Sequence, residues 1–135
     1  MLKSLVTAGV TVVAALLIGC THETPKQTGP RPPTSPSSVT FYQKAPSGKY
    51  DLLGAVTVPV GGAIRMDERG DATAAFVEMR KQAADLGANG VLLDENKVQS
   101  DVVVTASFNG TFYTVPVNRQ PRAAKGEAIW VYDKK

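Results

Sequence analysis

The alternation of hydrophobic and polar positions divides the chain into three parts. Residues 5–18 form the longest apolar run, and Lys3 lies just before it. Residues 21–38 are rich in Pro, Thr and Ser and nearly free of large apolar side chains. From Val39 onward, short apolar segments recur with the spacings of strands and of one helix. The pattern therefore predicts an apolar leader, a polar connecting segment and a folded domain.

Several short segments of the domain have the composition and alternation of strands. They lie at residues 39–42, 50–58, 91–93, 101–108, 111–117 and 128–132. Gly54, inside the second segment, indicates a bulge or a close approach of a helix. Asn109-Gly110 is the strongest short hairpin signal in the chain. Residues 118–126 are polar and basic and contain a proline, so we expect a loop there.

One amphipathic helix is predicted between the second and third strands. Its apolar residues recur at helical spacing, namely Ala72, Phe76, Met79, Ala83 and Leu86. Asp71 is a suitable N-cap residue, and Gly87 stands where a left-handed residue would end the helix. With the strands, this helix predicts an α+β fold, in which a small mixed or antiparallel sheet of five or six strands packs on one long α-helix.

The apolar leader has the layout of a secretory signal, which we place at residues 1–19. Its apolar run is too short for a comfortable membrane span of roughly 20 residues. It ends in Leu17-Ile18-Gly19-Cys20, which resembles the lipobox of bacterial lipoproteins. The resemblance implies cleavage before Cys20, a diacylglyceryl group on its thiol and acylation (palmitate, for example) of its new amine. The alternative is an ordinary signal or buried anchor with an incidental cysteine.

The segment after the leader is expected to be a disordered tether. Residues 20–38 would start with the lipidated Cys20 and would not bury enough apolar surface to offset their ordering entropy. Thr21 is not aspartate, which by analogy with Gram-negative lipoproteins favours the outer membrane, facing the periplasm. The globular domain then comprises residues 39–135.

The charge of the chain bears on the kind of partner it binds, and its cysteine content bears on how the domain is stabilised. The chain carries 15 Lys and Arg against 12 Asp and Glu, a formal net charge of +3. Because the two signs are interspersed, this excess argues only weakly for an anionic partner, and we infer no nucleic acid. Cys20 is the single cysteine, so the exported domain would fold without internal disulfides and depend on its core.

Catalytic chemistry is poorly indicated, and we expect a protein that is not an enzyme and has no cofactor. His22 is the single histidine and lies in the tether, so the domain has no histidine base. No Cys and His spacing fits zinc. Asp67, Glu68 and Asp71 are candidate calcium ligands but lack EF-hand spacing. Solvated loop charges and a helix cap explain these three residues better.

A basic cluster is the main candidate for binding. Arg119, Arg122 and Lys125 fall in the expected loop, and Lys134 and Lys135 end the chain. Such a cluster suits lipid head groups, lipopolysaccharide phosphates or an acidic protein surface. The alternative is a loop whose charges only promote solubility.

Aromatic residues in the strands allow a second kind of binding surface. Four of them could together contact a glycan, namely Tyr42, Tyr113, Trp130 and Tyr132. Aromatic residues that alternate along strands are, however, more often part of the core.

The junction between the helix and the third strand carries a resemblance. Residues 83–93, with the sequence AADLGANGVLL, follow an upstream Leu53-Gly54-Ala55-Val56. This arrangement resembles the domain of RcsF-like envelope lipoproteins. The resemblance implies a non-enzymatic protein that senses envelope stress through contacts with membrane proteins. Members of that family carry disulfides in the domain, which this chain lacks, so the resemblance is to the fold.

The leading hypothesis is therefore a non-enzymatic, lipid-anchored lipoprotein whose periplasmic domain contacts an envelope protein, in envelope stress sensing or assembly. The alternative is a binding module for an envelope polysaccharide or an anionic lipid head group, acting through the residues around Arg119, Arg122 and Lys125.

Overall fold

A computed structural model describes residues 25–60 and 72–133 of the chain. Over these residues it contains one α-helix, α1 (Thr73–Asp85), and a short 3-10 turn at Pro36–Ser38. The strands are β1 (Lys26–Gln27), β2 (Thr40–Tyr42), β3 (Tyr50–Pro59), β4 (Gly90–Leu92), β5 (Val102–Phe108), β6 (Thr111–Arg119) and β7 (Arg122–Val131). The α+β class is confirmed.

Two details of the predicted fold are corrected. Among the described residues the sheet has seven strands, not five or six, because β1 comes from the segment expected to be a tether. The predicted long helix is short: it begins at Thr73, ends at Asp85 and has 13 residues. The N-cap position is Ala72, whose side chain makes no capping hydrogen bond. The predicted N-cap, Asp71, lies outside the described residues.

Strand β7 organises the sheet. It pairs antiparallel with β3 along nearly its whole length on one side. On its other side it pairs with β6 near its start and with β4 near its end. The sheet order is β1-β3-β7-β4-β2, and β5 is attached through β6. Both β1 and β2 run parallel to their neighbours, which makes the sheet mixed.

The helix packs on one face of this sheet, and the main core lies between them. Phe76 and Met79 are fully buried. The ring of Phe76 stacks on that of Phe108 and meets that of Phe41 edge-on, both at 4.9 Å between centroids. A smaller apolar cluster, on the opposite face, includes Ile129 and Val131. These ring contacts join the helix to β2 and β5.

The bulge expected at Gly54 is confirmed. The register between β3 and β7 shifts between Leu52 and Gly54. The shift lets both Leu53 and Val56 reach the main core, although their spacing does not fit a simple alternation. A Cβ on Gly54 would lie 3.4 Å from Leu86 Cδ1, an ordinary van der Waals contact with the residue that follows α1.

Of the two predictions made for the turns on either side of β6, one is confirmed and the other is wrong. Asn109 and Gly110 both have positive φ, 51° and 77°, which confirms the tight hairpin. The loop predicted at residues 118–126 is wrong, because β6 continues to Arg119 and β7 begins at Arg122. Pairing with β3 and β6 supplies partners for the backbone of a segment that has little strand character of its own.

Candidate functional site

The segment before the domain does not run free in the structure. We call residues 25–38 the strap, because this part of the predicted disordered tether lies along the domain. Lys26 and Gln27 pair with Asp51 and Leu52 of β3. The N–H of Thr28 then donates to Leu52 O at 3.0 Å. Main-chain pairing of this kind needs no apolar side chains, so a polar composition does not exclude it.

The strap also forms hydrogen bonds at the C-terminal end of the helix. The N–H of Thr34 donates to Ala84 O and that of Arg31 to Leu86 O, each at 2.9 Å. The hydroxyl of Thr34 donates to Ala88 O at 2.5 Å. The backbone N–H groups of Leu86, Gly87 and Ala88 already bind the last helix carbonyls. The strap adds a donor to Ala84 O and binds the carbonyls of Leu86 and Ala88, just beyond the helix.

Gly87 is the residue that lets the strap approach. It has φ of 81°, as predicted for a residue that ends a helix. A Cβ at this position would lie 2.6 Å from the backbone of Arg31. The guanidinium of Arg31 lies over the ring of Trp130, 4.4 Å from its centroid. The strap thus contacts the helix end and β7 together.

The domain has two opposite ends, which we name after the strap and after the turn between β6 and β7. The strap end comprises β1, the first residues of β3 with Lys49 before them, and the last residues of β7 with Tyr132 and Asp133 after them. The turn end comprises Pro59 and the turn that joins Arg119 to Arg122. Because β3 has ten residues, and so nine steps, the two ends are about 30 Å apart at 3.3 Å per step.

The turn end holds two of the three residues of the predicted basic cluster. Arg119 and Arg122 are directly opposite each other on β6 and β7, so their side chains share one face. The N–H of Arg119 donates to Asp101 Oδ2 at 3.0 Å. The Nε of Arg122 is buried and has no hydrogen-bond partner among the described residues. Two cationic side chains are therefore held side by side.

Lys125 does not join this pair. Ala124 and Ala128 of β7 face the helix, whereas Ile129 faces the opposite side. Lys125 is an even number of positions from Ile129 and therefore shares its face of β7. Arg122 is an even number of positions from Ala124 and therefore lies on the face toward the helix. The two basic side chains thus leave opposite faces. Lys134 and Lys135 lie outside the described residues. The predicted single basic loop is thus replaced by an Arg119–Arg122 pair.

An open groove lies near the turn end, between β3 and the start of α1. Its volume is about 540 Å³, and its lining includes Val58, Pro59, Val60, Ala75, Glu78 and Gln82. The lining is largely apolar with one carboxylate, so it offers a surface for packing and no constellation of catalytic groups.

The strap end has a different chemistry. The hydroxyl of Tyr132 donates to Asp51 Oδ2 at 2.5 Å, and Asp51 is buried. The Nζ of Lys49 lies 4.6 Å from the centroid of the Tyr132 ring. Beside them is an open groove of about 880 Å³ with polar and apolar walls, lined by Tyr42, Pro46, Ser47, Gly48, Val131, Tyr132 and Asp133.

The four candidate aromatic residues do not form one surface. Tyr113 packs in the core, 5.2 Å from Phe76 between ring centroids. Trp130 is covered by Arg31 of the strap, and only Tyr42 and Tyr132 line the groove at the strap end. A four-residue glycan platform is therefore not assembled.

Three groups have shifted acidities, each through burial. Desolvation raises the pKa of Tyr42 and of Tyr50, and Asp94 raises that of Tyr50 further. Burial also raises the pKa of the Glu127 carboxyl above its ordinary value. A phenol that is harder to ionise is no better as a base, so these shifts indicate packing.

Three side-chain amides have a structural role that the sequence analysis missed. Each amide binds both the N–H and the C=O of one residue in another segment, as a neighbouring strand would. The pairs are Gln43 with Thr114, Gln82 with Thr57 and Asn89 with Val131, at distances from 2.5 to 3.1 Å. The partners are 25 to 71 positions away, so no local signal reveals them.

The described residues contain no group of three or more His, Cys, Asp or Glu side chains placed to hold a metal ion. The candidate calcium ligands, residues 67, 68 and 71, lie outside them, as do Cys20, Thr21 and His22. Within the described part of the chain, no helix is long and apolar enough to cross a membrane.

Comparison with protein-family models, with curated proteins and with solved structures gave no match to this chain.

Proposed function

We propose that this chain is a bacterial lipoprotein whose domain makes non-enzymatic contacts with an acidic protein partner in the cell envelope. The lipobox at residues 17–20 supports the anchor, and Thr21 supports an outer-membrane position facing the periplasm. The resemblance to RcsF-like lipoproteins supports a role in envelope sensing or assembly.

The observation that carries the proposal is the Arg119–Arg122 pair. Like charges directly opposite each other on neighbouring strands are destabilising. The nearby Asp101 carboxylate already accepts the backbone N–H of Arg119, and Arg122 Nε has no partner among the described residues. An acidic group from a partner would relieve the repulsion between the two guanidinium groups.

The position of the pair indicates where that partner is. The strap leaves the domain at the strap end, on the side from which an anchor at Cys20 would hold it. The pair is at the turn end, about 30 Å away along β3. The partner surface therefore points away from the anchoring membrane, toward proteins of the envelope.

The alternative ligand, an envelope polysaccharide or anionic head group bound by Arg119, Arg122 and Lys125 together, has less support. It requires the three side chains to converge, whereas Lys125 leaves the opposite face of β7.

The proposal is tested by crosslinking in cells. A photo-reactive residue at Gln120, which is exposed in the turn, should capture a reproducible protein. The double variant Arg119→Glu and Arg122→Glu should reduce that capture at least about tenfold, because it removes two charge-assisted contacts. Lys81→Glu with Lys97→Glu, at two exposed positions elsewhere, makes the same charge change and should leave capture unchanged.

Absence of any protein adduct at Gln120, or equal losses in both double variants, would contradict the partner. The anchor is tested separately by Cys20→Ala, which should move the chain out of the membrane fraction. Continued membrane association of that variant without detergent would contradict the lipoprotein.

A further inference from the structure

We propose that the strap end of the domain rests on the phospholipid head groups of the membrane, with Lys26, Lys49 and Tyr132 as its contact residues. This inference depends on the proposed anchor at Cys20 and identifies the surface that faces the membrane.

The first argument is the length of chain left between the anchor and the strap. Residues 21–25 separate Cys20 from Lys26, the first residue of β1. Six steps span at most about 22 Å when fully extended, and about 14 Å on average for a flexible chain. A tether that was free up to Val39 would reach about 65 Å. Docking of the strap therefore holds the domain at the membrane surface.

The second argument is the chemistry of the surface that this short connection brings to the membrane. Lys26 and Lys49 are exposed, and the Tyr132 side chain is 44 % exposed. Lysine attracts anionic head groups, and tyrosine rings favour the boundary between head groups and acyl chains. Together these are the residue types that bind such a surface.

Acidic residues at the strap end oppose this attraction only in part. Asp51 is buried and its carboxylate accepts the hydroxyl of Tyr132, so it does not face the lipid. Asp133 is exposed beside the groove. The groove next to Tyr132 has a volume of about 880 Å³, which is large enough for a phospholipid head group.

The third argument is that the other basic surface cannot make this contact. The Arg119–Arg122 pair lies at the turn end, about 30 Å from the strap end along β3. While the strap is docked, that distance keeps the pair away from the head groups of the membrane in which the acyl chains on Cys20 would insert. The two ends thus have different partners.

The single tryptophan provides the test, because Trp130 lies at the strap end beside Arg31. Lipidated full-length protein is placed in vesicles of phosphatidylglycerol and phosphatidylcholine that carry a spin label on their head groups. We expect the labelled lipid to quench Trp130 fluorescence. The double variant Lys26→Glu and Lys49→Glu should reduce that quenching by at least about half, and high salt should do the same in the parent protein.

The matched control is Arg119→Glu with Arg122→Glu, an equal charge change at the turn end that should leave quenching unchanged. Equal loss in both double variants, or no loss with Lys26→Glu and Lys49→Glu, would overturn the proposal. Circular dichroism checks that all the variants are folded. Flotation of the parent and Cys20→Ala proteins with the vesicles reports the anchor alone. A failed anchor is therefore distinguished from a wrong contact surface on an anchored protein.

Discussion

The outer side of β3 and the outer side of β5 are covered to different extents. On the outer side of β3 lie β1 and the side chain of Gln82, which together pair with three of its residues. On the outer side of β5, the described residues include no further strand. There the N–H of Ala72 donates to Ser107 O at 2.7 Å. Both strands are long, so their length does not explain the difference.

The edges also differ in charge. Residues 102–118, which include β5 and nearly all of β6, contain no charged side chain. Val103 is 42 % exposed and Phe112 75 % exposed. Proteins commonly protect an edge strand by covering it or by placing charges on it. The edge of β3 is covered by the strap, whereas the edge of β5 lacks charge, so the strap protects only one edge.

The largest effect on stability is expected from Gly87→Ala, which should detach the strap from the covered edge. The new Cβ would meet the backbone of Arg31 at 2.6 Å, at a positive φ. We expect a loss of about 2–3 kcal/mol in the free energy of unfolding. Urea unfolding measures the loss, and limited proteolysis within residues 25–38 should become faster.

Gly110→Ala is the matched control for Gly87→Ala. It has a similar positive φ, 77°, but nothing within 4 Å of its Cβ position. It should therefore cost only the backbone strain and leave the strap protected. Equal proteolysis of the strap in the two variants would contradict the role assigned to Gly87.

A smaller effect is expected from Gln82→Ala, which uncovers one residue of the β3 edge. The variant removes both hydrogen bonds to Thr57, and we expect a loss of about 1 kcal/mol because these bonds are exposed. Hydrogen exchange of the Thr57 amide should become faster. Lys81→Ala, at the neighbouring exposed position, should change neither quantity, and unchanged exchange in Gln82→Ala would contradict the pairing.

Glu127→Gln should change stability without altering either edge, because Glu127 lies on the central strand β7. Burial raises the pKa of its carboxyl in the folded state. The folded state then binds more protons than the unfolded state between the two pKa values, so stability falls as pH rises through that interval. We expect Glu127→Gln to be the more stable protein at neutral pH.

The advantage of Glu127→Gln should disappear below the ordinary carboxyl pKa of about 4.3, where the parent side chain is also neutral. Urea unfolding of both proteins at several pH values measures the difference. A constant difference at all pH values would show that charge is not its cause.

Val103→Lys should have the smallest effect on stability, within about 0.5 kcal/mol, and should act on the open edge. We expect the parent protein to self-associate weakly at high concentration through β5, and a lysine on this strand should suppress that association. Sedimentation at several concentrations measures it. Val77→Lys, at a valine that is 51 % exposed on α1, is the control. Suppression by both variants, or by neither, would contradict association through β5.

Much of the fold could be predicted because its signals are local. The stripe from Phe76 to Leu86, the hairpin at Asn109-Gly110 and the bulge at Gly54 each depend on residues close together in the chain. The loop expected at residues 118–126 was wrong because its residues become strand only when β3 and β6 supply hydrogen-bond partners.

The candidate sites were predicted less well. Arg119 and Arg122 were named as candidates, and the structure brings them together on paired strands. Lys125 was grouped with them because a loop places few restrictions on direction, whereas a strand sends alternate side chains to opposite faces. The contact residues proposed at the strap end were not grouped, because Lys26, Lys49 and Tyr132 lie far apart in the sequence.

The sequence by itself determined the α+β class, the helix and the tight hairpin, and the lipobox that ends at Cys20 stays a prediction. Each depends on residue type and short spacing. Only the tertiary structure decided that residues 25–38 bind the end of the helix and cover the edge of β3. It also decided that side-chain amides act as strand neighbours and that the basic residues separate. The physical reason is that the strap and the amides bind backbone groups left unpaired at edges, and that strand pairing sets the face of each basic side chain. Both exist only in the assembled sheet.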